Sequence, residues 1–182
     1  MTNDVPSGKK TPLTPAARRY LWLDQGLIAI GCNFLINAVI AWSAFRDSEI
    51  VPVSGPRSLI EDTEATCFFL PFIACLIVSH LTRHEMQKGR FPPLPEFGWM
   101  KMLGEYASVS AFPRAMVFGV AGRMLVAPIL VALIQSSGVT ELPLVNFVVV
   151  KGLIATALGI GLCPLFAWIA MHDGKAISSK LR

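Results

Sequence analysis

Residues 145–168, VNFVVVKGLIATALGIGLCPLFAW, form an unbroken apolar or small run except for Lys151. A run of this length matches the ~20 residues a helix needs to cross ~30 Å of hydrocarbon. The backbone of such a segment must satisfy its own hydrogen bonds in lipid, so it is a helix rather than a strand. An ammonium about two turns inside it then needs a physical account, because a charge at mid-helix costs ~2.5–3.5 kcal/mol on insertion scales.

Three further runs of the same kind lie upstream. Together the four occupy residues 20–45, 59–81, 113–135 and 144–171 of a 182-residue chain that is 53% hydrophobic and only 15% charged. A water-soluble domain of this length would carry more charge and alternate apolar with polar faces. The fold expected is all-α: a polytopic membrane protein with four transmembrane helices in two antiparallel hairpins. Residues 1–19 form a mobile cytoplasmic tail rich in Pro, Ser, Thr and Lys, residues 20–171 the membrane domain, and residues 172–182 a second cytoplasmic tail. Loop 82–112 opens with a Pro-rich piece and continues with Trp99, Leu103 and Tyr106 at helical spacing, which predicts a short interfacial helix.

The basic residues set the orientation. Lys9, Lys10, Arg18 and Arg19 precede the first run; Arg83, Lys88, Arg90, Lys101 and Arg114 separate the second and third; Lys175, Lys180 and Arg182 follow the fourth. The opposite side holds only Arg46 and Arg57, beside Asp47, Glu49 and Glu61. By the positive-inside rule both termini are cytoplasmic, in a bacterial inner membrane. The net charge of +4 follows from that topology and leaves no basic face for nucleic acid. The first run is too long for a cleaved signal peptide, and Trp22, Trp42 and Trp168 mark span ends as interfacial anchors.

Four stretches, CNFLINAVIAWSAFRDSEIVPVSG, EDTEATCFFLPFIACLIV, GRFPPLPEF and VVVKGLIATALGIGLCPLFA, occur in an order and spacing that resemble an uncharacterised family of small bacterial four-helix integral membrane proteins. The matching positions are Asn33, Asn37, Asp62, Thr66, Pro71, Lys151 and Pro164, with Cys163 standing where Thr is usual. The resemblance implies the topology and adds no activity.

The polar residues inside the runs are the candidate site. Lys151, Ala155 and Gly159 share one small-residue face, the kind along which membrane helices approach each other, so Lys151 is expected to point into the bundle. Asp62 and Thr66 share a face of the second run, and Asn33 and Asn37 one of the first, at comparable depth. The expectation is an Asp62–Lys151 ion pair flanked by Asn37 and Thr66, with Glu64 pointing elsewhere. Ala115, Gly119, Arg123 and Ala127 repeat every four residues, which puts Arg123 in a stripe of the third run. Its depth depends on whether that run starts near Pro113 or nearer Val117.

Pro71, Pro128 and Pro164 each remove a backbone donor and should kink their helices. Cys32, Cys67, Cys75 and Cys163 have no metal-ligand or CxxC spacing and read as small buried hydrophobes. No HExxH, GxSxG or P-loop occurs, so the reading leans away from an enzyme, and no cofactor is expected. A scaffold or accessory subunit, in a homo-oligomer or larger membrane complex in the lipid bilayer, makes the fewest demands on these residues. The alternative is a small-solute or ion transporter using the polar cluster and the proline-interrupted helices. A third reading holds a haem or pigment through His80, His84 and His172, grouped at one membrane side.

Overall fold

The computed structural model describes residues 13–91 and 110–172. The predicted interfacial helix around Trp99, Leu103 and Tyr106, most of the first tail and the second tail from residue 173 lie outside the described residues. Four helices dominate: α1 (Pro15–Phe45), α2 (Leu59–Gln87), α3 (Ala111–Ser136) and α4 (Leu144–Met171), each long and apolar enough to cross a membrane.

Local chemistry sets their ends. Thr14 caps α1, its hydroxyl accepting from the Ala17 amide at 3.2 Å, with Pro15 in the first turn where no donor is needed. Ser58 caps α2 by accepting from the Glu61 amide at 3.3 Å. The Glu61 carboxylate reaches back to accept from the Arg57 amide at 2.7 Å, so two orphan donors are satisfied together. Arg57 is held in a left-handed conformation (φ 51°), and its guanidinium donates to the Ala44 carbonyl at 2.8 Å across the loop.

The all-α expectation needs one amendment. The α1–α2 and α3–α4 connections pair as two short antiparallel strands, β1 (Ile50–Pro52) and β2 (Glu141–Pro143), with Val51 opposite Leu142. The ladder extends through bonds from the Val53 amide to Thr140 O and from the Leu144 amide to Glu49 O. Val51 and Val53 are buried over Ala41, Phe45, Leu59 and Phe147, forming an apolar cluster at the strand end. A second cluster, which includes Tyr20, Cys75, Met86, Ala115, Phe166 and Met171, closes the end at which α1 begins and α4 finishes.

Packing follows a different order from the sequence. α4 packs on both α1 and α2, and α2 packs on α3, giving a row α1–α4–α2–α3. The expected pairing of sequential helices is therefore corrected: neither α1 with α2 nor α3 with α4 is a principal pair. α3 reaches α4 through side chains, as where the Phe118 and Phe166 rings meet at 4.8 Å. The physical reason is the small face of α4. A Cβ on Gly152 would lie 2.7 Å from the Phe34 ring of α1, and one on Gly159 would run into the Asn33 amide. Ala155 is fully buried between these contacts, so α4 seats deeply.

α2 and α4 run through Pro71 and Pro164 as continuous helices. Only Pro128 is accompanied by an irregular turn, the π turn Gly122–Val126, in which the Ala127 amide bonds the Gly122 carbonyl five residues back. A proline lacks the N–H that would reach four residues back, and its ring crowds that carbonyl; a widened turn upstream relieves both problems.

Candidate functional site

The Lys151 ammonium, two turns into α4, donates to Asp62 Oδ1 in the first turn of α2 at 2.5 Å. The lysine side chain is 5% exposed and the aspartate 15%. Thr66, also buried, donates its hydroxyl to the Asp62 carbonyl at 2.8 Å and so braces the turn that aims the carboxylate, without itself contacting the ammonium. Asn37, expected beside the pair, makes its hydrogen bond within its own helix. Its amide donates at 2.9 Å to the Asn33 carbonyl one turn back. Asn33 faces Gly159, so its side chain serves the α1–α4 contact. Asp62 Oδ2 is buried and has no hydrogen-bond partner among the described residues.

Arg123 lies in a second, separate pair. Its guanidinium donates to Glu64 Oε2 at 2.8 Å, the side chains being 52% and 37% exposed. The stripe read from the four-residue repeat is thereby corrected. Ala115, Gly119 and Ala127 are buried, but the π turn puts Gly122 in the third place and turns Arg123 aside. A Cβ on Gly122 would collide with the Cys67 carbonyl and approach Pro71 at 2.9 Å, whereas one on Gly119 would meet Phe68 at 3.1 Å. The spacing from Gly122 to Ala127 is five residues, as a π turn requires.

Asp62 and Glu64 explain how α2 serves two neighbours. Two residues apart on a helix is roughly 200° around its axis. One carboxylate therefore faces α4 and the other α3. The sequence contained this signal, since both acids lie in the first two turns of one helix and a cation stands in each neighbouring run.

The end at which α1 begins and α4 finishes holds a third polar set that was not singled out from the sequence. The Tyr20 hydroxyl and Thr82, both buried, lie 3.2 Å apart. Arg90 bridges Asp24 at 2.7 Å and Glu85 at 3.2 Å while resting over the Tyr20 ring, its centroid 5.6 Å away. Hydrogen bonding to Glu85, with the nearby Asp24 charge, holds the Arg90 guanidinium above its ordinary range. Arg114, counted from the sequence among loop residues, is 2% exposed inside the first turn of α3 and is engaged, as is Arg83.

The three histidines do not converge. His80 and His84 are exposed on α2, whereas His172 is buried against Trp168, its Nδ1 2.8 Å from the Trp168 carbonyl. Among the described residues, no three His, Cys, Asp or Glu side chains are grouped to hold a metal ion. Cys67, Cys75 and Cys163 are buried as expected, but Cys32 is exposed. Two cavities of about 370 and 170 Å³ lie beside α3. The larger is lined mainly by Val53, Leu59, Leu130, Leu133, Val150 and Ile154, the smaller by Cys67, Pro71, Phe118 and leucines, and both are apolar. Compared with protein-family models, curated proteins and solved structures, the chain matches none.

Proposed function

We propose that this chain is a scaffold or accessory subunit of a bacterial inner membrane, crossing it four times with both termini cytoplasmic. One observation carries the reading: the Arg123–Glu64 pair is half-exposed on helices otherwise fit for hydrocarbon. Charged side chains in a membrane face protein or a water-filled space, because lipid offers them no partner. Of these two we take the first: another protein surface covers the pair when the molecule is in place. Arg18, Arg19, Arg83, Lys88, Arg90 and Arg114 all lie toward the end at which α1 begins and α4 finishes, which supports the orientation. Single cysteines introduced at Ser48 and Ser137, in a background lacking the native four, should react with an impermeant thiol reagent from outside only, and one at Ser7 only after the membrane is opened. Gentle extraction followed by native mass measurement should then give a species heavier than one chain. A bare monomer from lipid would overturn the subunit reading.

A transporter or ion-binding role is the second reading, and the buried Asp62 carboxylate is what favours it, since intramembrane ionisable groups mark substrate, ion and proton pathways. Solute-dependent thermal stabilisation that disappears in Asp62→Asn would put this reading first.

A further inference from the structure

We propose that the Arg123–Glu64 pair is the centre of a two-fold interface between two copies of this chain. This rests on the subunit reading above and names the partner.

Depth comes first. Arg123 is the thirteenth residue of α3, with thirteen more before Ser136, so its backbone lies roughly 18–20 Å from either end of the helix. Its guanidinium, however, reaches Glu64, the sixth residue of α2, so the pair itself lies roughly 8 Å below the strand-bearing end of that helix, inside the apolar span. The neighbouring exposed residues on α3, Val120 and Met124, are apolar and suit hydrocarbon; the guanidinium and carboxylate do not. The molecule's other intramembrane pair, Lys151–Asp62, is closed between α4 and α2, while this one opens outward from the α2–α3 end of the row.

Charge and symmetry then select the occupant. The open site presents one cation and one anion, so it is its own complement. A two-fold operation brings Arg123 of one copy to Glu64 of the other, and the reverse contact follows automatically. Two copies inserted in the same direction can be related only by an axis along the membrane normal, which preserves depth. Because the two charged groups are 2.8 Å apart, they lie at one level and meet their counterparts without tilting either molecule. Each guanidinium then contacts two carboxylates, using the several donors of its planar fork.

The test exploits the difference between a pair within one chain and a pair between chains. Arg123→Glu and Glu64→Arg each place like charges together inside one chain and, in a self-pair, between chains. Differently tagged copies of these two variants, co-expressed, restore opposite charges only across the interface. Wild type in lipid nanodiscs should be dimeric by native mass. Each single variant should self-associate at least about tenfold more weakly, and the two together should co-purify near the wild-type level. The doubly neutral variant R123M/E64M serves as a folding control, with a melting temperature near wild type and a monomeric mass. Charge variants that leave the wild-type dimer unchanged, or a mixed pair no stronger than the single variants, would overturn the two-fold interface. A wild type that carries a different subunit and no second copy would sink this inference but leave the subunit reading standing. A wild type with neither would remove both.

Discussion

Lys151 and Arg123 are the two cations the sequence places inside apolar runs, and they meet different fates. Lys151 is enclosed with Asp62 (5% and 15% exposed). Removing one partner of a buried pair leaves the other uncompensated, at about 3–5 kcal/mol, while replacing both by apolar groups is often neutral. Lys151→Met should therefore lower the melting temperature in detergent and in lipid, and the double variant K151M/D62L should recover most of the loss. An unaltered melt for Lys151→Met would show that the pair holds nothing together. Two glycines give a second comparison at this scale. Gly122→Ala drives its new methyl into the Cys67 carbonyl, which is backbone and cannot swing away, whereas Gly159→Ala meets the movable Asn33 side chain. The first substitution should cost about 1–3 kcal/mol by overpacking and the second clearly less, measured by denaturation of each purified variant.

At the scale of the element, α3 is where local irregularity redirects chemistry. A regular helix from Ala111 to Ser136 would keep Arg123 in line with Gly119 and Ala127, against α2. The π turn before Pro128 substitutes Gly122 at that contact and frees the guanidinium for Glu64. Pro128→Ala removes the reason for the wide turn. In that background the coupling between Arg123 and Glu64, on the order of 0.6–1.7 kcal/mol for polar pairs between membrane helices, should fall toward zero in a double-mutant cycle. A coupling that survives the proline's removal would show that tertiary packing, rather than the proline, sustains the turn. The strand pair is the other element-level finding. Ile50–Pro52 is only three residues long, and its partner lies some ninety residues away, so no local pattern announces it.

For the whole molecule, the order α1–α4–α2–α3 puts α2 and α4 side by side, where a simple up-and-down bundle would set them on a diagonal. D62C/K151C, with the native cysteines replaced, should link through a short bifunctional thiol reagent, as should F45C/F147C, whose parent rings lie 4.5 Å apart. Linkage of the second pair without the first would restore the diagonal arrangement.

The four helix positions were legible because they follow from a solvent requirement. Enough consecutive apolar residues must cover the hydrocarbon, and runs at 20–45, 59–81, 113–135 and 144–171 correspond to helices Pro15–Phe45, Leu59–Gln87, Ala111–Ser136 and Leu144–Met171. The Lys151–Asp62 pairing was legible for a related reason: the small face of α4 fixed the direction of the ammonium, and few acids lay at its depth. Which helix stands beside which, and which cation is enclosed and which left open, were settled only in three dimensions. Hydrophobicity counts residues along a chain and is indifferent to neighbours, whereas close packing depends on where a missing Cβ or one extra residue in a turn lets two backbones touch.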